Sequence, residues 1–541
     1  MTQEKLSVAF VLESAHIPAW QFALIASTAG SDNVSACVLT HPDQTSPHCG
    51  SKDSSAKLFE AFRRYEERRQ RVSRDACAHM LVAELPGNVD RISPPIDQHR
   101  SFDVVVALGG LAHIDELSAA SKFGVWFYEH SSNQTGRTDG TSLAFWEVIR
   151  RRPYVWSRLL TRQAGSAADS IVYESYSGVY HLSHQRSRNE HLWKLASIIP
   201  RLLRRLRANG PEHFLNNLRD TPRLTRLDLY GNRNRLSSAR LFFPIVDYFV
   251  WRLVQKAVRK LYTDRWILMF STDGERLVVE SLRKLMPPAD RFWADPFAIF
   301  REGQCCVFFE DASLETGHGR LSVMTMSGDG QFSPPVTILE RPYHLSYPFI
   351  FEWKNSLFLI PESADNRTVE LYRCTQFPDK WEFQHNLMED VRAYDSTLIE
   401  HEGTWWLFAT VQERDGASSW DELCVFYADH PLSTAWHPHP MNPVISDVRL
   451  ARPAGRMFME NGRIYRPSQN SSFRYGYALN INEILELNRI TYRERLIETF
   501  GPDWDRSITC MHSYTRAGHL TVVDAYHRAR KLRTVMQRAR Q

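Results

Sequence analysis

Five hairpin-like segments recur through the second half of this chain, and they restrict its fold more than any other feature of the sequence. Each opens on a polar residue, runs through a short strand and a charged or glycine-bearing turn, and ends in an apolar or aromatic-rich strand. The segments start at Asp295, Tyr347, Asp395, Arg452 and His512, in steps of 52, 48, 57 and 60 residues. A hairpin repeating at this interval is the spacing of a propeller with four strands per blade. Two such hairpins arise easily by chance. Five in series predict a five-bladed β-propeller.

In a propeller the first strand of each blade lines the central channel, so residues at its entrance converge. Asp295, Tyr347, Asp395, Arg452 and His512 are therefore expected in one funnel, and all five carry a polar tip. Glu310, Asp311, Glu362, Arg466, Gln469 and Asp524 close the second strands near the same mouth. Carboxylates, a guanidinium, an imidazole and a phenol directed to one point suit a sugar. They hold hydroxyls, stabilise a developing oxocarbenium ion and move a proton. Crowded carboxylates also drive their pKa values apart, which separates an acid from a base. Any of these groups, Asp295, Asp395, Glu362 and His512 among them, can supply the acid or the base. Tyr347, Arg452, Glu310, Arg466, Gln469, Asp524 and His344 are the candidates for binding substrate. The competing role for any one of them is a blade-to-blade hydrogen bond.

A chain of 541 residues has room for about three domains. Residues 1–180 alternate apolar strand runs (Leu6–Leu12, Asn33–Leu39, Phe102–Leu108) with helical stretches, which predicts an α/β domain with a doubly wound parallel sheet. The strand that ends at Gly109-Gly110 has the form of a ligand-crevice edge. Residues 181–270 read as basic linking helices, and 271–541 as the all-β propeller. Between Arg186 and Arg265 there are 18 Lys/Arg against six Asp/Glu. That segment is expected either to bridge the domains with a solvated charged face or to lie on anionic lipid.

Other classes are set aside on residues. The eight cysteines form no CxxC pair and do not cluster with histidines, so neither a disulfide framework nor a zinc site is expected. No metal and no cofactor is predicted. GxGxxG and Walker motifs are missing, and no nucleic-acid recognition motif accompanies the basic charge. The apolar run Leu241–Val254 is interrupted by Asp247 and Arg252, and the N-terminal residues read as a strand rather than a secretory signal. The expected location is cytoplasmic, peripheral at the inner membrane face.

Three resemblances add to this reading. Gly124-Val125-Trp126-Phe127-Tyr128-Glu129-His130-Ser131 with Phe145-Trp146-Glu147-Val148 resembles the folate-dependent formyltransferase domain. That resemblance places His130 at the family's histidine, Tyr128 where the family has Asn, and Asp169 at its aspartate. It implies a degenerate formyltransferase site that keeps the fold without the reaction. Trp293-Ala294-Asp295-Pro296 resembles the arabinanase–fructosidase clan, which implies a base or nucleophile at Asp295 and a tuning residue at Asp395. Blade four offers Arg452 where that clan has its acid, an exchange that would favour a phosphate-bearing donor. His344-Leu345-Ser346-Tyr347-Pro348, Pro361-Glu362-Ser363, Trp436-His437-Pro438-His439-Pro440, Asn442-Pro443-Val444 and Ala451-Arg452-Pro453-Ala454-Gly455 resemble the propeller domain of glucosamine inositolphosphorylceramide transferases, joined here, as in bacterial relatives, to a formyltransferase-like domain.

The expected function is glycosyl transfer in glycan or glycolipid assembly, with a nucleotide sugar as candidate co-substrate and a glycan or lipid-linked acceptor. Formyl transfer to a nucleotide-linked amino sugar, with the propeller as an accessory module, is the first alternative. A non-catalytic glycan-binding scaffold is the second.

Overall fold

The computed structural model describes residues 5–40, 54–69, 72, 74–92, 101–109, 114–131, 140–210, 212, 214, 223–225, 238–272 and 277–531. Two compact units result, one of Met1–Arg252 with Glu413–Ser418, the other of Leu253–Gln412 with Ser419–Gln541. Gly110 of the expected glycine turn and most of the basic stretch 211–237 lie outside the described residues.

In the first unit, the strands Leu6–Leu12, Val34–Thr40, Val89–Ile92, Val104–Ala107 and Val125–His130 pair in parallel. Their apolar runs are buried on both faces, as a parallel sheet covered by helices requires. The Ala19–Ala29 helix supplies one cover through Trp20, Leu24 and Ile25. Beyond His130 the expected parallel winding stops. Tyr154–Arg162 joins antiparallel to Val125–His130, and Ala168–Gly178 and Arg223–Thr225 follow antiparallel. Only residues 163–167 separate the two long strands, far too short for a crossover, so they close as a hairpin and the sheet is mixed.

The His184–Asn209 helix, read from sequence as part of a linker, is built into this unit's core. Ser183 caps it by accepting from the Arg186 amide, and Leu192, Leu195 and Ile199 are fully buried. Several of its cations are buried rather than solvated, while Arg204 stays exposed. Lys194 is buried and donates to the Tyr176 carbonyl, Arg188 reaches Asp75 at 3.1 Å, and Arg201 meets Glu413, which belongs to the same unit.

The second unit holds five four-stranded antiparallel sheets, the five blades. The first four occupy Arg291–Leu339, Ser346–Glu389, Ala393–Pro438 and Phe458–Phe500. The fifth joins Tyr514–Ala517 and Leu520–Arg530 to Tyr262–Ser271 and Arg283–Leu285. Tyr262 pairs with Arg530 and Ser271 with Thr521, so strands from both ends of the unit close the ring. All but the last residue of the Tyr262–Ser271 strand falls inside the stretch read as linker.

Turn chemistry explains why the hairpins were visible. In the first three blades both turn residues have positive φ: Glu302 and Gly303, Lys354 and Asn355, Glu402 and Gly403. Asn461 and Gly462 do the same in the fourth. Two successive positive φ values match the twist of a tight hairpin, and Gly and Asn reach them at least cost.

Candidate active site in the propeller funnel

The same kind of bulge interrupts the inner strand of the first three blades. Register shifts occur between Ala294 and Phe297, Ser346 and Phe349, and Tyr394 and Thr397. At each bulge one polar residue adopts positive φ, 51° at Asp295, 44° at Tyr347 and 55° at Asp395. Pro296 and Pro348 follow the first two, tolerable there because a bulge needs no ladder N–H. Holding a residue with a side chain in this region costs on the order of 1–3 kcal/mol, and such strain collects at functional sites. Here it turns three side chains toward the axis.

Two clusters result. In one, Arg452 Nε donates to Asp395 Oδ2 at 2.6 Å and a terminal nitrogen to Oδ1 at 3.1 Å. That nitrogen also reaches Glu362 Oε2 at 3.1 Å, the other terminal nitrogen meets the Ser419 carbonyl, and Gln469 donates to Asp395 at 3.1 Å. Blades two, three and four are thereby joined. In the other, Asp295 Oδ1 accepts from Ser513 Oγ at 2.8 Å and lies 3.5 Å from His512 Nε2. Asp524 accepts His512 Nδ1 at 2.7 Å and the amides of His512, Ser513 and Asp295. The His512 ring stacks on Trp266, centroids 4.1 Å apart.

Burial dominates the electrostatics. It raises the Asp295 carboxyl to about 6, with His512 opposing and Asp395 and Asp524 reinforcing the rise. Burial, then the Asp395 charge, holds Glu362 well above the usual range, although Arg452 pulls the other way. Glu310 is raised by burial and by Asp295 and Asp524. Burial disfavours a proton on His512, but Asp524, with Asp295 and Asp395, outweighs it and the pKa rises. The funnel thus offers a carboxyl at Asp295 raised to about 6, one at Glu362 held above its usual range, and Asp395 paired with the Arg452 guanidinium.

Several expected roles change with this geometry. Arg452 directs its donors to Asp395, Glu362 and Ser419 rather than to an open position for a donor phosphate. Arg466 does not face the funnel. It pairs with Glu494 at 2.7 Å and donates to the Leu450 carbonyl. Arg466 and Gln469 lie an odd number of residues apart on an unbroken strand, so they point to opposite faces. Asp311 turns away from its neighbour Glu310 in the same fashion, toward Arg291 and Arg320. Tyr347 is fully buried, its hydroxyl shared between Thr397 and the Gly455 amide at 2.8 Å each. It ties blades together. Asp524 positions backbone and imidazole. His344, half-buried, lies 3.3 Å from Glu310.

Sequence reasoning missed the aromatic wall. The Arg452 guanidinium sits 5.0 Å from the Tyr475 ring centroid and 5.3 Å from that of Tyr394, and Trp420 packs against Tyr475. Tyr394 directly precedes Asp395, a signal that was available. Trp266 was not findable, since its neighbour His512 belongs to the far end of the chain.

Asp295, His512 and Asp524 place three potential ligand atoms within 4.8 Å of one another. The donor set does not fit a cation: Asp524 already accepts three N–H groups on Oδ1 and one on Oδ2. It reads as an orienting acid for an imidazole.

The three formyltransferase-like positions do not assemble. His130 lies level with Ser157 and Ser175 across the sheet, whereas Asp169 lies level with Arg162 and Val125, five residues away along the strand. At about 3.3 Å per residue that is roughly 16 Å. Asp169 is buried against Arg162, the Tyr128 hydroxyl donates to the Leu195 carbonyl at 2.9 Å, and His130 Nδ1 meets Ser157 Oγ at 2.6 Å.

Residues 278–523 match the family described as glucosamine inositolphosphorylceramide transferase 1, N-terminal. Glucosamine inositolphosphorylceramide transferase 1 of Oryza sativa subsp. japonica is 35% identical over 206 residues, 38% of this chain and 27% of that protein. Its counterpart in Arabidopsis thaliana is 32% identical over the same length. The chain thus spans about a quarter of these curated relatives. Among solved structures, a family 117 glycoside hydrolase of Zobellia galactanivorans matches at TM-score 0.30 and 13% identity, over 39% of this chain and 70% of that one. The catalytic domain of a Coprinopsis cinerea GH62 α-L-arabinofuranosidase matches at TM-score 0.32 and 10% identity, over 43% and 90%. The blades that carry Asp295, Glu362, Asp395, Arg452 and His512 are therefore related in sequence to the N-terminal region of glucosamine inositolphosphorylceramide transferases.

Proposed function

We propose that this protein is a transferase of glycan or glycolipid assembly and that the propeller funnel carries the sugar chemistry. One observation carries the reading. Two buried carboxyl groups, Asp295, raised to about 6, and Glu362, raised above its usual range, share the funnel with the Asp395–Arg452 pair. Asp295, steadied by Ser513 and His512, serves as the base or as the stabiliser of positive charge at the anomeric carbon. Glu362, the more accessible of the two, supplies the proton. His512 positions Asp295 and is not free to act as the acid, since Asp524 and Trp266 fix its ring. Tyr394, Tyr475 and Trp420 offer ring faces to a pyranose.

The relatives' name points to an amino-sugar donor and an inositolphosphorylceramide-type acceptor. The test incubates the full chain with a panel of nucleotide sugars and such acceptors and follows glycolipid product by mass spectrometry. Product from the wild type that disappears in both Asp295→Asn and Glu362→Gln supports the reading. Unchanged turnover in both well-folded variants removes the funnel from the mechanism. Formyl transfer has less support, because Tyr128, His130 and Asp169 do not converge.

A further inference from the structure

Residues 471–477, Ser-Ser-Phe-Arg-Tyr-Gly-Tyr, join the second strand of blade four, Arg463–Asn470, to its third, Ala478–Leu487, and include no acidic residue. The connection is pinned at several points. The Tyr477 amide donates to the Arg474 carbonyl at 3.2 Å, which closes a turn. The Gly476 amide donates to Ser471 Oγ at 3.1 Å, and the Met511 amide to the Gly476 carbonyl at 3.1 Å. Gly476 has a φ of 62°, and a Cβ there would lie 2.7 Å from His512 Cβ. Only glycine lets the backbone come this close to the funnel imidazole. The turn so held sends Tyr475 inward, its ring 5.2 Å from that of His512 and 5.0 Å from the Arg452 guanidinium.

Arg474, one residue before Tyr475, stays exposed. Among the described residues its guanidinium takes part in no hydrogen bond and no ion pair. Its charge nevertheless registers on blade five. Burial raises the Tyr526 phenol, Asp264 and Cys510 add to the rise, and Arg474 opposes it. Burial likewise raises the Cys510 thiol to about 11, again against Arg474. The Tyr526 ring lies 5.1 Å from that of Trp266, which stacks on His512. Arg474 thus sits at the funnel rim, between the wall made by Tyr475 and the wall made by Tyr526 with Trp266. Of the carboxylates around it, Asp503 acts on Tyr477 and Asp264 is paired with Arg528, and neither forms an ion pair with Arg474. The rim holds an uncommitted guanidinium, the interior a committed one.

We propose that Arg474 recognises a phosphate ester at the funnel rim, that of a nucleotide-sugar donor or of a phosphate-bearing acceptor, and so orients the transfer partner toward the funnel. A guanidinium presents a planar fork that matches two phosphate oxygens, and an unpaired one gives up no protein partner when it binds. The pinned turn supplies a fixed base for that fork, and the adjoining Tyr475 faces the chemistry. Arg474 takes the phosphate contact that the sequence alone gives to Arg452. The proposal rests on the reading of the funnel as a transfer site, and its test reads affinity rather than turnover.

The full chain is titrated by calorimetry with uridine diphosphate, guanosine diphosphate and inositol 1-phosphate, and with uridine, guanosine and inositol as their phosphate-free counterparts. The wild type should bind at least one phosphate probe about tenfold or more tightly than its counterpart, the worth of a hydrogen bond to a charged group. Arg474→Gln should remove that advantage and leave the counterpart's affinity unchanged. Arg474→Lys keeps the charge without the fork and should fall in between. Preference for a diphosphate assigns the site to the donor, and preference for inositol 1-phosphate assigns it to the acceptor. Arg474 is exposed and its side chain unbonded, so both variants should match the wild type in thermal transition. Equal affinity of the wild type for every probe and its counterpart would overturn the proposal. So would unchanged phosphate affinity in folded Arg474→Gln. Glycolipid product from a protein whose phosphate affinity ignores Arg474 would sink this proposal alone. Arg474-dependent phosphate binding, with turnover unchanged in Asp295→Asn and Glu362→Gln, would sink the funnel chemistry alone.

Discussion

Arg452 grips Asp395 with two hydrogen bonds, 2.6 and 3.1 Å long, and ties the fourth blade to the third inside the funnel. Both side chains are almost wholly buried. A buried carboxylate left alone is far costlier than the pair is favourable, because its desolvation then has no compensation. Arg452→Met should destabilise the second unit by about 3–5 kcal/mol in urea denaturation. Adding Asp395→Leu should recover much of that loss, since no uncompensated charge remains. A single variant within about 0.5 kcal/mol of wild type would show that water reaches Asp395 freely.

Asp295 serves charge and not packing, so Asp295→Asn should retain the fold and lose activity. Ser513 can still donate to the amide oxygen, and the residue volume is unchanged. Loss of a positioned acid or base typically lowers rate by about 10²–10⁴. Matched thermal transitions with a rate ratio near unity would remove Asp295 from catalysis.

The pH dependence has opposite signs for stability and activity. Asp295 titrates near 3.8 when unfolded and at about 6 when folded. In that window the folded protein keeps a proton the unfolded chain has released, so this stabilising contribution is complete below pH 3.8 and is lost as pH rises through about 6. Glu310, Glu362 and His512, all raised, act in the same direction. Activity should do the reverse on its acid limb, rising through about pH 6 as Asp295 ionises. Urea midpoints and kcat/KM across this range test both signs, and Asp295→Asn should flatten its own share of the stability slope. An acid limb centred near pH 4 would place the base elsewhere.

How far the sequence foretold this site depends on whether each feature is local. The blades were legible because their signals lie within a few residues, such as Glu402-Gly403 and Asn461-Gly462 in hairpin turns, or Asp295-Pro296 at a bulge. The closure of the ring was not, because Asp264 meets Arg528 from the far end of the chain and no local pattern announces the strand Tyr262–Ser271. Arg466 was misassigned although the information was present: three positions from Gln469 on one strand, it had to face the other way. Arg452 enters the funnel ahead of the Phe458–Phe500 sheet, and its partner could not be read, because Asp395 lies on another blade. In the first unit, the buried cations Arg188 and Lys194 look the same in sequence as solvated ones. Their surroundings come from strands and loops elsewhere in the unit.

The same alternation yields a contrast with Arg452. Arg466 and Glu494 form a buried pair inside blade four, away from the funnel. Arg466→Met should cost several kcal/mol in stability, roughly as for other broken buried pairs. Sugar affinity measured below the unfolding transition should stay at the wild-type value. A selective loss of affinity would return Arg466 to the binding site.

Tyr128 supplies the last prediction. Formyl transfer needs a donor for the developing oxyanion and a carboxylate to move the proton, both beside an imidazole. Tyr128 instead gives its hydroxyl to the Leu195 carbonyl, packs edge-on against Trp20 with centroids 6.0 Å apart, and stacks beside His130. Burial holds the His130 imidazole neutral, its pKa lowered to about 4, and the ring is occupied by Ser157. Lack of one oxyanion donor alone lowers rate about 10²–10³, and Asp169 sits at the other end of the strands, locked to Arg162. The wild-type protein should therefore leave formyltetrahydrofolate unconsumed in the presence of nucleotide amino sugars. Tyr128→Asn, which restores the family's residue, should not create the activity. It should instead destabilise the first unit by about 2–3 kcal/mol, below the range for a fully buried aromatic because Tyr128 is only partly buried. Formyl transfer by the wild type at ordinary enzyme rates would mean that this crevice, not the funnel, is where the chemistry occurs.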